Sequence, residues 1–157
     1  MTHPLYVIDT CSLIQMREAY KRKIFSGAWE SIERFIADKK IIAPYEVYHE
    51  LEQQEDDEVF KWIKQYKEFM FIPAEKSIQL GVKELLKKYP GLIDVKKAKD
   101  GADPFVIQTA INLNCVVITE EIKSGQISHP KIPDVCRDLG LKCKRLLDLF
   151  EMENCKY

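Results

Sequence analysis

The chain has 157 residues, 46% of them hydrophobic and 31% charged, and its 24 lysines and arginines against 25 aspartates and glutamates leave a formal net charge of -1. That size and apolar content fit a single domain over residues 1–157, and the near-neutral balance excludes polyanion binding through overall basicity, so any nucleic acid must be met by a local patch. The five cysteines form no CxxC pair, no apolar run approaches ~18 residues and the N-terminus is too short for a signal peptide, so a cytoplasmic protein with no membrane partner is expected rather than a zinc ribbon, a secreted disulfide scaffold or a membrane span.

Leu5 to Ile8 is a short apolar run stopped by Asp9 and reads as a buried strand. A helix follows through Leu13 and Ile14, with Thr10 and Ser12 as its N-cap residues. Trp29, Ile32, Phe35 and Ile36 have helical spacing, closed by Lys39 and Lys40 before a strand at Ile41–Ala43. Pro44 opens a helix carrying Val47, Glu50 and Leu51. Val59, Ile63, Tyr66 and Met70 predict one continuous helix, and Ile78, Val82, Leu85 and Leu86 another, ended by Tyr89-Pro90-Gly91. From Asp103-Pro104 to about Asn114 the sequence is apolar nearly all round, as in a buried central helix. Cys115 to Thr119 is the clearest strand. A helix at Pro133–Leu139 stopped by Gly140, and a strand near Cys143–Leu146, complete the chain.

Short, uniformly apolar strands separated by helices predict a three-layer α/β/α sandwich with a mostly parallel central sheet. In such open sheets ligands sit beyond the carboxyl ends of the strands. Asp9 follows the first strand, Asp103 starts the central helix, and Glu120 and Glu121 follow the strand at 116–119; Glu50 is a fourth acidic position. Taken singly, each has a plainer use. Asp9 and Asp103 suit N-caps, Glu120 and Glu121 suit the positive end of a helix dipole, and Glu50 suits a solvated face. Gathered at one edge they would repel one another unless protonated or neutralised, and an oxygen-rich set without histidine suits a hard ion such as Mg²⁺ or Mn²⁺.

Four segments carry a family resemblance, in order: Tyr6-Val7-Ile8-Asp9-Thr10-Cys11-Ser12-Leu13-Ile14, Ile42-Ala43-Pro44-Tyr45-Glu46-Val47-Tyr48-His49-Glu50-Leu51, Ala102-Asp103-Pro104-Phe105-Val106-Ile107, and Val116-Val117-Ile118-Thr119-Glu120-Glu121. They resemble the acidic motifs of PIN-domain ribonucleases, including the VapC-like toxins of prokaryotic toxin–antitoxin pairs. The resemblance spans nearly the whole chain. It implies a PIN-like fold, Mg²⁺- or Mn²⁺-dependent hydrolysis of RNA, a cognate antitoxin protein as partner, and a homodimer. Asp9, Glu50 and Asp103 match the first three acids, and Glu121 the fourth, where the family commonly has aspartate, so the resemblance implies these four as catalytic residues and metal ligands. Glu120, adjacent, is the alternative. Cys11 stands where the family often has asparagine or serine.

Thr10 or Ser12 could bond a substrate phosphate or cap a helix, and Asp100 is an accessory acid candidate beside a plainer reading as a turn residue. Of the basic runs, Arg17 and Arg22 in the first and Lys99 in the second are the candidates for guiding RNA, against a solvated face; Lys142, Lys144 and Arg145 read as scattered surface charges. No Walker loop or GxGxxG occurs, no histidine has ligand spacing, and Cys11 occupies the place where a phosphoaspartyl hydrolase wants a second aspartate. Two rivals remain beside the toxin: a noncatalytic RNA-binding or protein-interaction module on the same fold, and a housekeeping RNA-processing nuclease.

Overall fold

The structure is a computed structural model and describes residues 3–93 and 101–157. Strand β1 (Tyr6–Ile8) is apolar and buried along its length, as a strand covered on both faces requires. Asp9 ends it and caps α1 (Thr10–Ala19), its extended backbone leaving its carboxylate to accept the Thr10 N–H. The cap is therefore Asp9 and not Thr10 or Ser12, which are the first and third residues of the helix itself. In α2 (Ser26–Ala37), Ala28, Trp29, Ile32, Phe35 and Ile36 form the buried face. Lys39, in the left-handed region, reverses the chain into β2 (Ile41–Pro44), and Pro44 then caps α3 (Tyr45–Glu52).

The continuous helix expected through Val59 and Met70 is broken into α4 (Glu58–Lys64) and α5 (Lys67–Met70), followed by a strand, β3 (Phe71–Ile72), that the sequence did not reveal. Tyr66 bonds back to Ile63 across the break, so the apolar residues keep helical spacing although the helix does not continue. Two residues are also too few for a strand's alternation to register.

Helix α6 (Lys76–Lys88) runs into a 3₁₀ turn at Pro90–Leu92; α7 (Asp103–Leu113) then leads to β4 (Val116–Ile118), with Asn114 stopping the helix in the left-handed conformation. Helix α8 (Ile132–Leu139) stops at Gly140, whose φ of 70° favours a residue without a Cβ. The final strand, β5, is only Cys143–Lys144, because Leu146 starts a helix, α9 (Leu146–Met152), rather than ending a strand. The Asp148 carboxylate accepts the Arg145 N–H at the start of α9, an acid at the third helical position that closes the helix start.

The sheet order is β3-β2-β1-β4-β5, and every pairing is parallel. The chain builds outward from β1 to β3, crosses back, and resumes at β4 on the other side of β1. Helix α7 packs on β1, β2 and β4, which explains its nearly continuous apolar surface. The expected three-layer sandwich is present, with one core running through strands and helices alike.

At the 3₁₀ turn, a Cβ on Gly91 would overlap the carbonyl oxygen of Ser128, backbone against backbone. Gly91→Ala is expected to cost about 1–3 kcal/mol, read as a lower urea midpoint with an unchanged m-value. A midpoint equal to wild type would show that the 128 loop yields freely.

Candidate metal centre

In this strand order the reversal falls between β1 and β4, where an open parallel sheet leaves a crevice at its carboxyl edge. The β1–β4 register pairs Ile8 with Ile118, so the next residues, Asp9 and Thr119, emerge side by side. The N-terminus of α7 brings Asp103 to the same edge, and the turn after Thr119 brings Glu121. One carboxylate oxygen from each of Asp9, Asp103 and Glu121 lies within 4.8 Å of the others. Asp9 and Asp103 are buried, at 3% and 7% exposure, and Glu121 is half-buried.

Asp9 is held from two sides. Its Oδ1 accepts the Thr10 N–H at 2.7 Å, while Oδ2 accepts the Thr119 hydroxyl at 2.9 Å and the Cys11 thiol at 3.0 Å. Burial, then the charge of Asp9, pushes the Cys11 thiol well above its ordinary pKa. It serves as a donor to the Asp9 carboxylate. Thr119 was not among the expected site residues. Its sequence signal was its place in the fourth acidic motif, as the last residue of an apolar strand before two acids.

Glu50 stands beside the three. Its Oε2 accepts the Thr10 hydroxyl at 2.7 Å and its Oε1 the Ala102 N–H at 3.0 Å, so it joins α3 to the starts of α1 and α7. Ala102, not Asp103, is the cap residue of α7, so the plain capping account of Asp103 does not apply. Glu120 and Glu121 separate cleanly. Glu120 turns to α9, accepting the Leu146 N–H at 2.8 Å and the Arg145 guanidinium at 2.9 and 3.1 Å, which is the helix-terminus role first considered for it. Glu121 stays with Asp9 and Asp103 and also accepts the Ile132 N–H at the start of α8 at 3.0 Å.

Each of the three carboxylates thus sits at a helix N-terminus: Asp9 at α1, Asp103 at α7 and Glu121 at α8. Positive helix ends offset part of the mutual repulsion, typically by about 0.3–1 kcal/mol each. The set is all oxygen, and its atoms lie within 4.8 Å of one another, near enough to be drawn around one hard cation. The residues present fit Mg²⁺ or Mn²⁺ better than zinc.

Ser12 is fully buried in the first turn of α1, and its hydroxyl has no partner among the described residues. Arg17 is engaged by Asp57 and by Glu18, and Arg22 by Glu33 at 3.3 Å while lying 5.0 Å over the Trp29 ring. Neither arginine is thus poised over the carboxylates as an uncommitted cation. Lys99 and Asp100 lie outside the described residues.

The loop after Glu121 is fastened by Asp134, whose carboxylate accepts the N–H groups of Ser124, Gly125 and Lys131 and the Ser124 hydroxyl at 2.8–3.0 Å. Burial opposes its ionisation, but these donors together outweigh it and hold its pKa below the ordinary 3.8. A depressed folded pKa stabilises above the unfolded value, and that contribution is lost as pH falls through the folded one. Asp134→Ala is expected to cost about 1–2 kcal/mol at pH 7, with the gap to wild type closing as pH drops below 3.8. Parallel urea titrations at pH 7 and pH 3 measure it; a gap that persists undiminished at pH 3 would reject the charge-assisted account.

Residues 6–157 match the family model described as Domain of unknown function (DUF4411). No curated protein matches the chain in sequence. Among solved structures it is similar to a chain of VapBC2 from Rickettsia felis bound to a DNA fragment from their promoter, with a TM-score of 0.56, 13% identity, and coverage of 90% of this chain and 98% of that one. It is also similar to a chain of VapBC-1 from nontypeable Haemophilus influenzae, with a TM-score of 0.57, 16% identity, and coverage of 91% and 98%. The shared fold is the PIN-like α/β/α sandwich.

Proposed function

The chain belongs to the DUF4411 family, a domain of unknown function, and we propose that it is a metal-dependent ribonuclease that hydrolyses RNA phosphodiester bonds and acts as the toxin of a toxin–antitoxin pair. One observation carries the chemical part: three carboxylates from three separate elements converge within 4.8 Å at the topological switch point of a parallel sheet. Structure maintenance gives no reason to bring buried like charges together, whereas holding a divalent cation does. The fold shared with VapBC proteins and the order of the acidic motifs support the biological setting.

In this reading Asp9, Asp103 and Glu121 hold Mg²⁺ or Mn²⁺. Such a cation supplies Lewis acidity toward a phosphoryl oxygen and toward the attacking water. Thr119 and Cys11 fix the Asp9 carboxylate by donating to Oδ2, leaving its rotamer no freedom to swing away. Glu50 acts as an organiser: by bonding Thr10 and the Ala102 N–H it keeps the α1 and α7 termini, and hence Asp9 and Asp103, in register. The substrate is RNA in the cytoplasm, and the partners are an antitoxin that blocks the acidic cleft and a second copy of the chain.

Incubating the purified protein with mixed RNA in Mn²⁺ and, separately, in EDTA tests the chemistry. RNA loss in Mn²⁺ alone is expected; equal loss in both rejects the metal-dependent mechanism, and no loss in either leaves the noncatalytic module. Expressing the chain alone and beside its neighbouring gene product tests the setting, since an active nuclease that fails to slow growth is not a toxin.

A further inference from the structure

A cleft of about 440 Å³ opens from the carboxylate cluster, sharing Thr119 and Glu121 with it, and continues between the loop after Glu121, α8 and the β5–α9 turn. Its other walls carry Lys123, Arg137, Lys144 and Arg145, all four exposed. Arg145 is committed to Glu120. Lys123, Arg137 and Lys144 make no ion pair among the described residues. The acids on the same walls are tied into helix starts: Asp134 accepts from Ser124, Gly125 and Lys131, and Asp148 from the Arg145 N–H. Asp134 accepts from four donors and Asp148 from one, each turned to its helix start, while three flexible cations on separate elements stay available to a ligand.

We propose that Lys123, Arg137 and Lys144 form the track that holds the phosphates flanking the scissile bond, so that the RNA strand reaches the carboxylates across α8 and β5 and not across α1. The identity of the polyanion rests on the ribonuclease reading; the location of the track rests on the cleft. Since the chain as a whole is not basic, attraction has to be local. A neighbouring cation group also solves the site's electrostatic problem, because three carboxylates repel the very phosphate they process. Arg17 of α1 and Arg22 after it do not meet this need, being paired with Glu18, Asp57 and Glu33. Lysine and arginine on a polar, open wall suit a backbone read without regard to sequence, each contact releasing counterions.

The test is fluorescence anisotropy with a labelled single-stranded RNA of mixed sequence, in EDTA so that nothing is cut. Three proteins are compared: wild type, the Lys123→Gln/Arg137→Gln/Lys144→Gln variant, and a Lys76→Gln/Lys83→Gln/Lys87→Gln variant on α6 with the same change of charge. All six positions are exposed, so folding is not at stake. The cleft variant is expected to bind roughly tenfold more weakly and to lower the slope of log Kd against log salt by about 2, at ~0.7 per phosphate contact on a single strand. The α6 variant should stay within twofold of wild type. Equal Kd and slope for the cleft variant and wild type, or an equal loss in both variants, overturns the track. Cleavage in Mn²⁺ is scored apart: wild type that binds through the cleft without cutting retains the track and loses the ribonuclease, whereas undiminished cutting by the cleft variant does the reverse.

Discussion

Asp9→Asn is expected to cut RNA more slowly by on the order of 10²-fold or more while folding as the wild type does. The substitution keeps the shape and removes the charge. Oδ1 still accepts the Thr10 N–H, and the new amide nitrogen faces a Thr119 hydroxyl and a Cys11 thiol that can turn to accept. Removing one of three crowded carboxylates also relieves repulsion, so stability without metal should be equal or higher. The metal response separates the cases. A ligand at 100 times its Kd adds about 2.7 kcal/mol, which for a domain of this size raises Tm by roughly 5–10 °C. Wild type should show that rise in Mn²⁺ or Mg²⁺, and Asp9→Asn should not. Full cleavage, or a full thermal response, in the variant would remove Asp9 from the centre.

Trp29→Ala is expected to lower stability by about 3–5 kcal/mol, the largest single loss among these predictions and a large part of the 5–15 kcal/mol typical of a domain. Trp29 is fully buried, its ring 4.6 Å from that of Trp62 and its indole N–H donating to the Tyr20 carbonyl at 2.6 Å. Truncation leaves a cavity between α2 and α4, an orphaned carbonyl and an exposed flank on Trp62. Trp29→Phe should recover part of the packing but not the hydrogen bond. Urea denaturation followed by far-UV circular dichroism gives both values; a loss under 1 kcal/mol for the alanine variant would mean that the site collapses around the gap. Because Arg22 lies over this ring, the variant also tests what holds that arginine in place.

Legibility tracked the length and continuity of each signal. The strands that read correctly, near Tyr6–Ile8, Ile41–Pro44 and Val116–Ile118, are buried on both sides and therefore uninterrupted in their apolarity. β3 and α9 escaped notice because one has two residues and the other begins beside a strand whose apolar pattern it continues. Asp9, Glu120 and Glu121 were visible because they follow strands that end abruptly, and Asp103 because it precedes a proline that opens a helix. Neither Thr119 nor Cys11 was an expected site residue: a threonine and a cysteine acquire a role at Asp9 only through hydrogen bonds that join residues more than a hundred positions apart or bend back across a turn.

The basic residues show the opposite failure. Arg17 and Arg22 drew attention as members of a run, yet proximity in sequence says nothing about partners, and the fold places Asp57 and Glu33 against them. Lys123, Arg137 and Lys144 are scattered along the chain and meet around one cleft.

What the amino-acid order determined by itself was the alternation of buried strands and helices, and with it the strand ends after which Asp9 and the Glu120–Glu121 pair emerge, because burial patterns and chain breaks are local properties. Only the tertiary structure decided which of two adjacent glutamates joins the carboxylate cluster. Glu120 finds the start of α9 and Arg145, Glu121 finds Asp9 and Asp103, and the choice is made by where α8 and α9 begin in space, which no spacing between neighbours encodes.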